Sequence, residues 1–262
     1  MMRSLWTAAT GMAAQSLNVD VISNNIANVN TIGFKRGRAN FEDLMYQQLK
    51  APGSAASAAG TQLPTGIQVG LGVRTTSVSS IFSEGSFKQT KNPLDLAIQG
   101  RGFFQVQLAN GQTAYTRAGS FSMDANGQLV TQNGNLLQPS ITIPANTKSI
   151  HIAADGTISA VQAGPTQTVL GQIQVADFLN PAGLTHIGSN LYQQSNASGT
   201  ATVGNPNANG LGSIGQGMVE MSNVSMVEEM VNLIAGQRAY EMNSKAIQAS
   251  DQMLQTANNV KR

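Results

Sequence analysis

The chain begins and ends with long stretches whose apolar residues recur at helical spacing, and the residues between them carry short extended runs broken by turns. From Met2 to about Val29, the positions Leu5, Ala8, Met12, Gln15, Val19, Ile22, Ile26 and Val29 follow a 3–4 step, and seven of these eight are apolar. Such spacing predicts a helix with one apolar face. From Asn223 to about Asn258, Met226, Met230, Leu233, Gln237, Tyr240, Ser244, Ile247, Asp251 and Leu254 follow a 4–3 rhythm. Val227, Val231 and Ile234 widen its apolar face over the first turns, and Ser225 with Glu228 has the spacing of a capping box. The polar interruptions fit a bundle of several neighbours better than a two-stranded coiled coil. One small domain between the helices need not cover both stripes, so other copies of the chain are predicted to cover them. Burial of both stripes within one subunit is the alternative.

The first helix is predicted to end or fray in Asn24-Asn25-Ile26-Ala27-Asn28-Val29-Asn30-Thr31, where side chains compete for backbone hydrogen bonds. Gly33 then supplies a turn or a helix stop. Ala51 to Pro64 is rich in Ala, Gly, Ser and Pro, the composition of a flexible segment. Further on, Asn110-Gly111, Asn126-Gly127 and Asn133-Gly134 are turn signals, and the first is the strongest hairpin signal in the chain. Short strands separated by such turns predict an antiparallel β domain and not alternating βαβ units. The fold class is therefore α+β: long N- and C-terminal helices packed together as an inner assembly domain, with a central antiparallel β-rich domain. The expected divisions are residues 1–45 for the first helix and its joint, 46–66 for an extended or flexible segment, 67–217 for the β domain and 218–262 for the last helix.

Charge and chemistry narrow the function. Only 11% of residues are charged and the formal net charge is +2, so like surfaces meet with little repulsion. The densest basic run, Lys35, Arg36 and Arg38, is too short to follow many phosphates, which argues against a nucleic-acid partner. There is no cysteine, and so neither a disulfide framework nor a thiolate metal site. No unbroken apolar run suits membrane insertion. Thr7, Thr10, Gln15 and Ser16 interrupt the N-terminal stretch, so no cleavable signal peptide is read. His151 and His186 stand far apart without metal-ligand spacing. Asp124 and Asp155 precede turns, where aspartate bonds its own backbone. Gly100-Arg101-Gly102 lacks the spacing and following helix of a phosphate loop. No enzyme activity, cofactor or metal is expected.

Three separated motifs resemble one family. Asn24-Asn25-Ile26-Ala27-Asn28-Val29-Asn30-Thr31-Ile32-Gly33-Phe34-Lys35-Arg36 is similar to the N-terminal signature of the bacterial flagellar rod and hook proteins. Ser222-Asn223-Val224-Ser225 and Gln237-Arg238-Ala239-Tyr240-Glu241-Met242-Asn243-Ser244-Lys245 resemble the paired C-terminal signature. Gly102-Phe103-Phe104, Tyr115-Thr116-Arg117-Ala118-Gly119-Ser120-Phe121 and Asp124-Ala125-Asn126-Gly127 resemble the central one. The resemblance spans nearly the whole chain. Length, and the segment around Tyr46 to Pro64, place it nearest the distal rod members. A proximal rod or hook subunit is the alternative within the family, and a secreted β-rich adhesin the alternative outside it.

The resemblance implies a homo-oligomer stacked helically into a hollow, rigid axle that carries torque from motor to hook. It implies proximal rod subunits on one side and hook or junction proteins on the other. It further implies passage across the periplasm to the outer membrane through peptidoglycan-associated and outer-membrane rings, and export by the flagellar type III apparatus. Residues 46–64 would wedge between neighbours and limit bending. The expected assembly surface comprises Leu5, Met12, Ile22, Asn25, Ile26, Asn28, Lys35, Arg36, Val227, Leu233, Ile234, Arg238, Tyr240, Ile247 and Leu254. Within it Leu5, Ile22, Ile26, Leu233, Ile247 and Leu254 are the preferred interhelical contacts. Asn25 and Asn28 are backbone caps or intersubunit hydrogen-bonding groups. Lys35 and Arg36 either neutralise carboxylates of a neighbouring subunit or form a solvated cluster.

Overall fold

The structure, a computed structural model, describes residues 2–53, 64–162 and 167–260. Two helices, α1 (Met2–Ala27) and α2 (Met226–Val260), flank a series of short strands. The chain divides into two compact units. One comprises Met1–Ile26, Gly37–Ser79 and Met226–Arg262, and the other Ala27–Arg36 and Ser80–Ser225.

In the first unit α1 and α2 pack against each other. Strand Gly37–Asp43 pairs with Val73–Ser80, and Tyr46–Lys50 pairs antiparallel with Ile67–Gly70. Of the segment expected at 46–66, residues 54–63 lie outside the described residues. α2 begins directly after Ser225 and carries Glu228 and Glu229 in its first turn, where the positive end of a helix dipole favours acidic side chains. α1 ends at Ala27, inside the Asn-rich stretch that competes for its hydrogen bonds. Thr31 closes the next turn, its N–H donating to the Asn28 carbonyl at 3.1 Å.

The second unit is antiparallel throughout its named ladders. Its main sheet runs in the order Thr185–Gly188, Leu191–Gln193, Thr113–Thr116, Phe103–Gln107, Leu136–Gln138, Leu129–Thr131, Phe121–Met123. Val175–Asp177 joins Phe103–Gln107 to Thr202–Gly204 off that path. Ser149–Ile152, Thr157–Val161 and Gln167–Gln172 form a three-stranded sheet. The three Asn-Gly turns connect neighbouring strands of the main sheet, with φ of +80° at Gly111, +78° at Gly127 and +80° at Gly134, a left-handed backbone that glycine adopts without steric cost. Asp124 Oδ1 accepts from the Asn126 and Gln128 N–H groups at 2.9 and 2.7 Å. Asp155 Oδ1 likewise accepts from Thr157 N–H at 3.0 Å. Both carboxylates are thus occupied with their own turns.

Alternation along the strands sends Phe104, Val106, Leu129, Leu137 and Ile158 into one apolar core, joined by Ile173 just beyond the Gln167–Gln172 strand. A second cluster gathers Phe103, Tyr115, Phe178 and Tyr192. Tyr115 meets Phe178 edge to face at 4.8 Å, an arrangement that adds to the burial of each ring. The second unit therefore has its own hydrophobic core.

Candidate functional site

The helix pair has an unusual seam. Ser4 Oγ lies 3.0 Å from Ser250 Oγ. One heptad on, Gly11 sits against Asn243. One heptad further, Gly236 packs against Gln15, Asn18 and Val19. At the last step Asn25 Nδ2 donates to Glu229 Oε2 at 3.2 Å. The pairs 4/250, 11/243, 18/236 and 25/229 each sum to 254, which is one antiparallel register held over three heptads. Seven-residue steps keep one face of each helix on its partner. The residues at these steps are small or polar. A Cβ at Gly236 would lie 3.3 Å from Val19 Cγ2, so glycine there permits close approach of the two backbones.

Asn25 is 1% exposed and does more than link the helices. Its Oδ1 accepts from Gly37 N–H and its Nδ2 donates to Gly37 C=O, both at 2.9 Å. The amide thus supplies both hydrogen bonds that a neighbouring strand residue would. It is a tertiary anchor, not a helix cap.

The apolar residues divide between two faces. On the α1 side of the pair, Ile22 is buried, and Leu5, Met12 and Ile26 are half-buried. On α2, Leu233, Ile247 and Leu254 are half-buried, each four residues beyond a seam residue. Tyr240, four residues beyond Gly236, lines a groove with Ser16 and Val19 of α1, whereas Val227 and Ile234 face outward, with Val227 74% exposed. Met226, Met230 and Val231 join them. The single stripe expected on α2 is therefore two: an inner seam satisfied by α1 and an outer apolar ridge. The sequence reading grouped them because both obey helical spacing. Arg238 pairs with Glu241 at 3.0 Å on the exposed surface, where such a pair contributes ~0–1 kcal/mol.

Sequence reasoning missed a charged node in the second unit. Glu220 is fully buried, with Oε1 2.5 Å from Lys35 Nζ and Oε2 3.3 Å from Arg117 Nη1. Gly85 N–H also donates to Oε1 at 3.0 Å. Lys35 Nζ donates a further bond to the Ser83 carbonyl at 2.7 Å, and Arg117 Nη2 donates to the Gly100 carbonyl at 2.7 Å. Burial pushes the Lys35 ammonium below the ordinary lysine range, and the Glu220 carboxylate opposes that shift. Lys35 is thus committed to a carboxylate of its own chain, because the Met218–Glu220 strand brings Glu220 to it. Asn223 completes the joint: its Oδ1 accepts from Arg36 N–H at 2.7 Å, and its Nδ2 donates to the Ile81 carbonyl at 2.8 Å. One signal was available. Between Asp177 and Glu220 there is no Asp, Glu, Lys or Arg, so the charge that ends this run is conspicuous.

Among the described residues, no group of three or more His, Cys, Asp or Glu side chains could hold a metal ion. No helix there is long and apolar enough to cross a membrane. The distinctive features are therefore a heptad-registered helix pair with an uncovered ridge and a β unit clasped by buried charge.

Comparison with known proteins matches these parts in order. Residues 5–35 match the flagella basal body rod protein family, residues 97–160 the flagellar hook protein FlgE/F/G D1 domain, and residues 216–260 the flagellar basal body rod FlgEFG protein C-terminal region. The chain belongs to the flagellar basal-body rod protein family. Its full-length likeness is to proteins described as flagellar basal-body rod protein FlgG. It is 53% identical to that of Buchnera aphidicola subsp. Acyrthosiphon pisum, over 97% of this chain and 98% of the relative. It is 52% identical to that of Caulobacter vibrioides, over 99% and 100%. It is 44% identical to that of Bacillus subtilis, over the whole of both.

Proposed function

We propose that this chain is a structural subunit of the flagellar distal rod and polymerises into the hollow, rigid axle that carries torque from motor to hook. The observation that carries this reading is the outer ridge of α2. A long helix whose inner face is already satisfied has no intramolecular reason to keep Val227, Val231 and Ile234 exposed at 74%, 60% and 57%. Contiguous exposed apolar surface marks an interaction site, and burying it yields roughly 25 cal/mol per Å². Repeated along a helical lattice, that contact supplies stiffness without any bond chemistry. The FlgG relatives, named as rod proteins, support the same reading over the full chain.

The expected partners are further copies, proximal rod subunits below and hook or junction proteins above. Peptidoglycan-associated and outer-membrane rings surround the rod as it crosses the periplasm, and the flagellar type III apparatus delivers the subunits. Cells lacking their own distal rod protein and supplied with this chain test the assignment. Electron cryotomography is expected to show a complete straight axle joining motor and hook. A basal body that stops short of the hook, although the chain is exported and folded, overturns the proposal. Incorporation into the curved external segment instead reassigns the chain to the hook.

A further inference from the structure

The first unit carries two apolar features that do not meet each other. One is the ridge on the first turns of α2: Met226, Val227, Met230, Val231 and Ile234, 47–74% exposed. The other is a socket of about 550 Å³ at the start of α1, lined by Arg3, Leu5, Trp6, Ala9 and Leu71. Trp6, the single tryptophan of the chain, is 65% exposed there.

Their separation follows from the helix register. Opposite positions sum to 254, so Trp6 lies level with Gln248. That is roughly 17 residues along α2 from Val231, or ~25 Å at the rise of an α-helix. The ridge of one copy therefore cannot fill its own socket. We propose that it fills the socket of a second copy, so that each subunit is ridge to one neighbour and socket to another. This rests on the rod reading above and specifies the contact.

Two observations favour a second copy as the occupant. The chain itself carries both halves of an apolar contact. The two patches also differ and lie at opposite ends of the helix pair, so their contact is heterologous. Such contacts build open filaments unless the rotation closes a ring. Ridge against ridge would form a closed dimer and leave Trp6 uncovered. The arrangement implies that copies joined by this contact are offset along the helix pair by ~25 Å.

The absence of native cysteine makes the test direct. Full-length chains carrying Val231→Cys and Trp6→Cys together are assembled into basal bodies, which are isolated and oxidised with copper phenanthroline. Denaturing gels are expected to show a ladder of covalent oligomers. Chains with either cysteine alone are expected to remain monomeric on the same gels. A strong dimer from Val231→Cys alone shows ridge against ridge and overturns the proposal. Intact rods without a ladder overturn it too, and leave the rod reading standing. If no rod forms even from the unsubstituted chain, the rod reading itself fails. Should either cysteine block assembly, Ile234→Cys with Ala9→Cys is read by the same outcomes.

Discussion

Gly11 of α1 lies so close to Asn243 of α2 that a Cβ on the glycine would sit 2.8 Å from the amide nitrogen. Glycine in a helix interior costs about 1 kcal/mol relative to alanine, and here that cost is offset by close contact. Gly11→Ala is expected to be nearly neutral, because the gain in helix propensity opposes a small displacement of the Asn243 amide. Gly11→Leu cannot be accommodated so. It is expected to force the helices apart and break the flanking Ser4–Ser250 and Asn25–Glu229 contacts. Hydrogen exchange across residues 12–25 separates the cases: protection unchanged in the alanine variant and lost in the leucine variant. Equal protection in both would show that the seam does not depend on this approach.

Asn25 presents a sharper chemical test, since its amide both donates and accepts. Asn25→Leu leaves the Gly37 N–H and C=O without their partner. With ~1–3 kcal/mol for each buried unsatisfied group, a loss of ~3 kcal/mol in the first unit is expected. Asn25→Asp keeps the acceptor for Gly37 N–H, removes the donor and places a carboxylate against Glu229. It is expected to be worse at neutral pH and to recover part of its stability in acid, where the carboxyl is protonated and donates again. Denaturant unfolding of the two variants at pH 7 and pH 4.5 reads the difference. No acid recovery in Asn25→Asp would mean that the donor to Glu229 and Gly37 is dispensable.

These residues show what was legible in the sequence. The three Asn-Gly turns were legible because their geometry is decided by two adjacent residues. The helices were legible because their spacing repeats over many turns. The division of α2 into seam and ridge was not. Leu233 and Ile234 are neighbours of similar hydropathy, and only the placement of α1 makes one an inner residue and the other an outer one. Gly236 and Asn243 lie outside the apolar spacing read from the sequence, yet both form part of the seam. The link between Lys35 and Glu220 spans 185 residues, a distance over which no local pattern operates, and Lys35 stands beside Arg36 and Arg38 in what reads as a surface cluster.

The same node defines a stability test. Removing one partner from a buried ion pair leaves an uncompensated charge and costs ~3–5 kcal/mol. Glu220→Gln strands both Lys35 and Arg117 and is expected to fall in that range. The thermal midpoint of the β unit should drop by ~10 °C for a domain of this size. Lys35→Met, which leaves Glu220 with Arg117 and Gly85, is expected to cost less. Calorimetry on both variants checks the order. A larger loss from Lys35→Met would place the weight of the node on the ammonium and not on the shared carboxylate.

His186 gives the β unit a dependence on pH. Its Nε2 lies 2.9 Å from Ser80 Oγ and its ring 4.8 Å from that of Tyr192. Burial holds the imidazole below its ordinary 6.5, so as pH falls the unfolded chain takes up this proton before the folded one. Stability rises with pH wherever the unfolded state binds more protons. The contribution of neutral His186 is therefore complete above 6.5, declines below that value, and levels off once pH passes the lower folded pKa. The unfolding midpoint is expected to fall as pH drops below 6.5, and His186→Asn should flatten that part of the curve. The comparison with the variant isolates this residue from carboxylates that titrate lower. An unchanged slope in His186→Asn would assign the pH dependence to another group.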